Sequence, residues 1–182
     1  MSQYAPITTN SQGADRRLKV DNEKTEFFQG REFRAFSEIS LANGAVYEFK
    51  IVSTVDFIIY DQEVIGITGA VKQEFYTGGT QTVAFNTAVT SIPKNRMSSR
   101  PAPVYSSNVV ITAGGTFTGG AKDEILYAIV GTNNGQSTNA SQSKDVHDAR
   151  GFAAGTYYVR ITNLNGAARA TCVYKLWWCE RP

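Results

Sequence analysis

The side chains best suited to chemistry in this 182-residue chain lie in one polar segment. His147 is the single histidine and stands between Asp145 and Asp148. An imidazole flanked by carboxylates is a set of groups that can bind a cation. A hard-metal site, however, usually takes six or more oxygen ligands placed by a turn, and no calcium-loop pattern with its closing glutamate is present. We therefore expect a solvated loop, with no metal and no other cofactor.

Motifs for covalent or phosphate chemistry are also missing. No G-x-S-x-G nucleophile motif occurs, and a single histidine leaves little for acid–base catalysis. The pairs Gly114-Gly115 and Gly119-Gly120 are not followed by the lysine and hydroxyl residue of a phosphate-binding loop. We interpret them as turn or bulge glycines. The sequence predicts that the protein is not an enzyme.

The two cysteines are expected to be free thiols. Cys172 and Cys179 fall in one predicted strand, where a rise of about 3.3 Å per residue puts them about 23 Å apart, on opposite faces. A disulfide needs Cα atoms within about 7 Å. The spacing also matches no zinc motif. We expect Cys172 to face the core and Cys179 to be the more accessible thiol.

Composition narrows the class of protein. Sixteen glycines, nine tyrosines and ten phenylalanines are typical of strands and turns. A formal net charge of +2 is too small to indicate a nucleic-acid surface. No apolar run approaches the roughly 20 residues that cross a bilayer, so no membrane partner is expected. Residues 1–13 lack the features of a signal peptide, which predicts synthesis in a cytoplasm.

Apolar residues alternate at a period of two along most of the chain, which predicts strands. The predicted strands are 32–40, 45–53, 55–61, 64–76, 81–90, 108–113, 124–131, 156–163 and 168–179. Only residues 121–131 also match a helical stripe, and their length and flanking glycines favour a strand. The predicted fold class is therefore all-β, a jelly-roll-like β-sandwich with an extended N-terminal arm.

Two local predictions concern how these strands are used. Tyr47, Phe49 and Ile51 should be buried, while Glu48 and Lys50 on the same strand face water. Strands 156–163 and 168–179 should form a hairpin through Asn165-Gly166, because both residues accept a positive φ.

Residues 1–30 form a polar N-terminal arm, and residues 31–182 form the sandwich domain. The arm contains too few apolar residues to order by itself, so we expect it to become ordered on a partner. The segments 91–107 and 132–151 are long surface loops and further contact candidates. Adjacent tryptophans point to opposite faces of a strand, which predicts one in the core and one at an interface. The partner-binding candidates are Tyr4, Arg16, Arg17, Phe27, Phe28, Trp177 and Trp178.

A resemblance is carried by the stretch 33–44 (FRAFSEISLANG), the Gly-Gly-Thr turns at Gly78 and Gly114, and the closing segment 155–162 (GTYYVRIT). With the polar arm, this layout resembles small virion structural proteins of tailed bacteriophages and is most similar to head decoration or cement proteins. The resemblance implies a homo-trimer or homo-dimer that binds the major capsid protein in the virion, without catalysis.

Two other functions remain open. The same sandwich can serve as a phage tail or collar connector or receptor-binding module, or as a cellular carbohydrate-binding module. A major capsid gene next to this gene would separate the first from head decoration, and a glycan array would test the second.

Overall fold

A computed structural model describes residues 27, 29–95, 106–130, 137–138, 149–166 and 168–181. They form fourteen strands. These are β1 (Glu32–Leu41), β2 (Val46–Ser53), β3 (Asp56–Thr68), β4 (Ala70–Thr77), β5 (Thr80–Val83), β6 (Thr87–Val89), β7 (Ile92–Pro93), β8 (Val109–Ala113), β9 (Thr116–Thr118), β10 (Ala121–Val130), β11 (Ser137–Thr138), β12 (Arg150–Phe152), β13 (Gly155–Asn163) and β14 (Ala170–Arg181).

The strands build two large sheets that face each other. The five-stranded sheet has the order β12-β3-β14-β1-β7, and the seven-stranded sheet has the order β11-β10-β4-β13-β2-β8-β6. All pairings between described strands are antiparallel. The all-β sandwich expected from the sequence is confirmed. Among these residues no helix is long and apolar enough to span a membrane.

Alternate residues of both sheets fill a single main core. Along β14 the inward positions are Ala170, Cys172, Tyr174, Leu176 and Trp178, and all five are buried. Trp178 stacks on Phe33 of β1 with ring centroids 5.9 Å apart. Burying a large apolar side chain of this kind stabilises the fold by about 1.5–3 kcal/mol.

A small third layer covers the outer face of the seven-stranded sheet. β5 and β9 pair with each other, and Phe85 and Phe117 pack on Tyr76 and Tyr158 of that sheet. Gly115 allows this close approach, because a Cβ there would lie 2.6 Å from the Phe85 ring.

This layer corrects the prediction that Glu48 faces water. Glu48 is 5% exposed, accepts from Arg160 Nε at 2.5 Å and accepts from the backbone N–H of Phe117 at 2.9 Å. The alternation of β2 was assigned correctly, but the sequence pattern does not show that a second layer covers its outer face.

Several strand boundaries also differ from the predictions. The strands predicted at 55–61 and 64–76 are β3 and β4, which meet at Gly69 with a φ of 76°. The strand predicted at 81–90 is divided into β5 and β6, and β9 was not predicted. Residues 121–130 form a strand, as expected, and not a helix.

The predicted hairpin of the last two strands is wrong. β13 pairs with β2 and β4, whereas β14 pairs with β1 and β3 in the other sheet. Asn163 directs this crossing, because its buried side-chain amide donates to the carbonyls of Leu41 and Ala42 at 3.2 and 2.8 Å, and to Ala168 at 3.0 Å. These bonds tie the connection to the β1–β2 turn.

Both cysteines are free and Cys172 faces the core, as predicted, but the prediction that Cys179 is the more accessible thiol is wrong. Cys172 is 1% exposed and Cys179 is 0% exposed. The register between β14 and β3 shifts between Trp177 and Trp178, where Tyr60 is the extra residue. Cys179 is therefore covered near the end of the strand instead of facing solvent.

Candidate interface where the N-terminal arm leaves the sandwich

The N-terminal arm joins the sandwich at a turn beside the C-terminal strand. The backbone N–H of Gly30 donates to the carbonyl of Phe27 at 3.0 Å, and Gly30 takes a φ of 73°. The carbonyl of Arg31 then accepts from the backbone N–H of Glu180 at 3.0 Å. These bonds fix the last residues of the arm at the end of β14.

The first end of the proline-rich segment 91–107 is held against the same turn. The buried side chain of Asn95 donates through Nδ2 to the carbonyl of Phe27 at 3.1 Å. The backbone N–H of Lys94 donates to the carbonyl of Glu32 at 2.9 Å. Pro93 lies in the two-residue edge strand β7, a position that suits a residue without an N–H group.

The second end of that segment is held by the carboxylate of Glu180, which is 2% exposed. It accepts from Ser107 Oγ at 2.6 Å and from the backbone N–H of Asn108 at 2.9 Å. The indole Nε1 of Trp178 also donates to it at 3.3 Å. The arm and both ends of the segment therefore leave the sandwich at one place.

Trp177 lies on the outer face of the five-stranded sheet next to this point. The ammonium group of Lys94 lies 3.0 Å from the centroid of its ring, a cation–π contact. The ring of Tyr60 lies 5.3 Å from it, centroid to centroid. The indole Nε1 is buried and has no hydrogen-bond partner within the described ranges. We term Phe27, Glu32, Lys94, Asn95 and Trp177 the arm-exit surface.

Two lysines on this face, Lys94 and Lys175, lie beside carboxylates. Burial lowers the pKa of Lys94, although Glu32, whose carboxylate lies 3.7 Å from Lys94 Nζ, acts in the opposite direction. On the neighbouring part of β14, burial alone would lower the pKa of Lys175, but hydrogen bonds to Asp61 and Glu63 at 2.9 and 2.8 Å raise it. Both lysines therefore sit beside carboxylates that favour their charged forms.

The sequence-predicted contact residues fall into three groups. Tyr4, Arg16, Arg17 and Phe28 lie outside the described residues, as do Asp145, His147 and Asp148. Phe27 and Trp177 both belong to the arm-exit surface. Trp178 is 0% exposed, so the structure removes it from the contact candidates.

Four residues at this end of the sandwich were not among the contact residues predicted from the sequence: Tyr60, Lys94, Asn95 and Glu180. The proline-rich segment was recognised as a contact candidate, but only the fold shows that its first end contacts Phe27 and its second end contacts Glu180. The one feature of the sequence that could have pointed to this site is the basic residue Lys94 directly after Pro93, and it does not indicate that Trp177 is its partner.

A second polar group lies between the two large sheets. Arg150 of β12 donates to Gln62 Oε1 at 2.7 Å and lies 2.8 Å from the Glu124 carboxylate. Tyr174 is 2% exposed, and burial raises the pKa of its hydroxyl. These contacts hold β12 on the sandwich, and the enclosed phenol is not accessible to a substrate.

The arm-exit surface offers a partner aromatic area and one cation, while the side chains of Glu32 and Asn95 are buried and bonded within the protein. Across the part of the chain that is described, no group of three or more histidine, cysteine or acidic residues can hold a metal ion. No protein-family model, curated protein or solved structure matches this chain.

Proposed function

We propose that this protein is a non-enzymatic virion structural protein, most concretely a head decoration or cement protein that binds and stabilises a phage capsid. The observation that carries the proposal is that the N-terminal arm and the first end of the proline-rich segment meet beside Trp177, while the second end is held by Glu180 at the end of β14. Asn95 joins the two segments directly through its bond to Phe27. Two long segments that leave a rigid sandwich side by side suit attachment to a broad surface.

A protein of this kind binds tightly because many contacts, each of modest strength, form over a large area. Each docked copy raises the effective concentration of the next contact, so binding gains strength without a catalytic or metal centre. A rigid two-sheet core positions the segments, and an aromatic side chain at the exit supplies a central anchor. Anchors of this type carry most of the binding free energy in protein interfaces.

The test is add-back to particles. Particles assembled from a genome that lacks this gene should bind the purified protein in a saturable way and then resist heat or low salt better. Electron microscopy of the decorated particles should place the density on the head. Density on the tail or collar would support the connector function instead, and the absence of binding would reject the proposal.

Carbohydrate binding is the second candidate, and one observation favours it. Tyr60 and Trp177 form an aromatic pair beside Asp61, which pairs in register with Trp177. Aromatic rings next to carboxylates are common in sugar sites. Against it, the Lys94 ammonium already occupies a face of the Trp177 ring. A glycan array in which wild type binds and Trp177→Ala does not would favour this function.

A further inference from the structure

The outer face of the five-stranded sheet carries no further layer among the described residues, whereas β5 and β9 cover part of the other sheet. Its three central strands are β1, β14 and β3, and their outward side chains form four rows across the sheet. In that strand order, the rows are Arg34, Trp177 and Asp61; Phe36, Lys175 and Glu63; Glu38, Val173 and Ile65; and Ser40, Thr171 and Thr68. We term these side chains the sheet face.

The most prominent part of the sheet face lies on β1. Phe36 is 53% exposed, and Arg34 and Glu38 on either side of it are exposed as well. The outward residues of β14 next to them, Val173 and Trp177, are half-buried. An exposed aromatic ring between charged side chains, with apolar neighbours, has the composition of an interface centre and its polar rim.

The charges of β1 are complementary to themselves. Arg34 and Glu38 lie two residues before and two residues after Phe36, on the same face of the strand. A two-fold axis that runs through the Phe36 row at right angles to the strands therefore places Arg34 against Glu38 of a second copy, twice. The same axis places the two Phe36 rings against each other and Trp177 against Val173 of the second copy.

The remaining side chains of the middle rows decide the direction of the axis. Lys175 and Glu63 face their own equivalents, but Lys175 donates to Asp61 and Glu63 at 2.9 and 2.8 Å, so this row has no isolated charge. Asp61 faces Ile65 of the second copy and keeps its bond to Lys175. A two-fold axis parallel to the strands is less favourable, because it sets the apolar ring of Phe36 against Glu63.

We propose that the sheet face binds the sheet face of a second copy around the axis at right angles to the strands. Packed sheets lie about 10 Å apart, a distance that the long side chains of Arg34, Phe36 and Glu38 can fill from both sides. The inference goes beyond the proposed function and does not rest on it, because it concerns only how two copies associate. Trp177 lies at the boundary between the sheet face and the arm-exit surface, so its loss should weaken both contacts.

The test is the molar mass of the full-length protein, measured by light scattering during size-exclusion chromatography at several loading concentrations. Wild type should be a dimer that dissociates on dilution. Arg34→Glu and Glu38→Arg each set like charges against each other at both ends, so each should run at half the dimer mass with unchanged circular dichroism. Lys50→Glu is the matched control. It makes the same charge change on the outer face of the seven-stranded sheet and should keep the wild-type mass.

Mixing the two variants is the decisive experiment. Arg34→Glu carries two acidic residues at positions 34 and 38 and Glu38→Arg carries two basic ones, so together they should form a one-to-one heterodimer. The double variant Arg34→Glu/Glu38→Arg exchanges the charges and should be a dimer by itself. Phe36→Ala should weaken dimerisation at least about tenfold, because it removes the central aromatic contact from both copies.

Three results would overturn the proposal: a wild-type monomer at every concentration, a dimer that persists in both single variants, or a mixture of these variants that stays monomeric. Particle binding measured on the same samples separates this inference from the proposed function. A wild-type monomer that decorates particles contradicts only the dimer, and a wild-type dimer that binds no particle contradicts only the decoration function. Arg34→Glu keeps Trp177, so its particle affinity separates loss of the dimer from loss of the tryptophan.

Discussion

Gln62 and Gln73 lie at equivalent depth between the sheets but differ in their hydrogen bonds. Both side chains are 0% exposed. Gln62 Oε1 accepts from Arg150 at 2.7 Å, whereas neither amide atom of Gln73 has a partner in the described part of the chain. A buried polar group without a partner costs about 1–3 kcal/mol of stability. The two glutamines therefore predict opposite mutational effects.

Replacing Gln73 with methionine should raise the free energy of unfolding by about 1 kcal/mol, because an apolar side chain of similar volume removes the unpaired amide. Gln62→Met should lower it by about 1 kcal/mol, because the partly buried Arg150 loses one of its two acceptors and keeps only the Glu124 carboxylate. Urea denaturation followed by fluorescence measures both. If Gln73→Met is destabilising instead, ordered water satisfies Gln73 and its amide contributes to stability.

Both thiols should resist alkylation in the folded protein. Burial raises the pKa of Cys172 to about 11, so little thiolate forms at neutral pH, and Cys179 is fully covered. Mass spectrometry after labelling with iodoacetamide should show no modification without denaturant and two modifications with it. Rapid labelling of Cys179 in the native state would contradict the covered position of this residue in β14.

For the strands, the alternation of apolar residues predicted which side chains face the core better than it predicted which strands pair with each other. Alternation predicted that Cys172 faces the core and that one of the adjacent tryptophans is buried, and the buried one is Trp178. Asn165-Gly166 suggested a hairpin, but the deciding contacts are made by Asn163 with Leu41 and Ala42, which are distant in sequence. Local turn preference cannot reveal such contacts.

The third layer depends on the buried ion pair beneath it. Replacing Arg160 with methionine leaves the Glu48 carboxylate without its cation and should cost about 3 kcal/mol of unfolding free energy. Lys122→Met is the matched control. Its partner Glu74 is equally enclosed but keeps a second cation, Lys72, at 3.2 Å. Thermal unfolding should therefore show a large loss for the first variant and a much smaller one for the second.

Glu74 also predicts an acid dependence of stability. Burial alone would raise its pKa, but hydrogen bonds from Lys122 and Lys72 lower it below the ordinary value of 4.5. A carboxylate whose pKa is lower in the folded state stabilises the fold above the unfolded value, and this contribution is lost as pH falls through the folded value. Stability should decline below about pH 4.5, and less steeply in Glu74→Gln. Equal slopes for the two proteins would contradict this role.

For the whole molecule, the fold class could be read from the sequence, but the arm-exit surface could not. Phe27 and Trp177 were recognised as aromatic contact candidates. Their proximity depends on Lys94 and Asn95, which the crossing from β6 to β7 brings to the same end of the sandwich. Such placement comes from topology, because strands that follow each other in sequence mostly lie in different sheets.

Deleting residues 1–25 should leave the sandwich folded. Within the described residues the contacts begin at the carbonyl of Phe27 and β1 begins at Glu32, so the deletion leaves the described contacts of the core in place. The melting temperature should match wild type within a few degrees, while attachment to particles should weaken strongly. A shortened protein that still saturates particles at wild-type affinity would show that the arm does not contribute to attachment.

The central claim is that this protein acts through contact area at the arm-exit surface and not through a chemical centre. The most direct measurement is the affinity of two full-length variants for particles that lack the protein. Trp177→Ala should weaken binding by about 2 kcal/mol or more, because buried aromatic anchors carry most interface free energy, while His147→Ala should bind like wild type. Loss of binding in His147→Ala with full binding in Trp177→Ala would contradict the account.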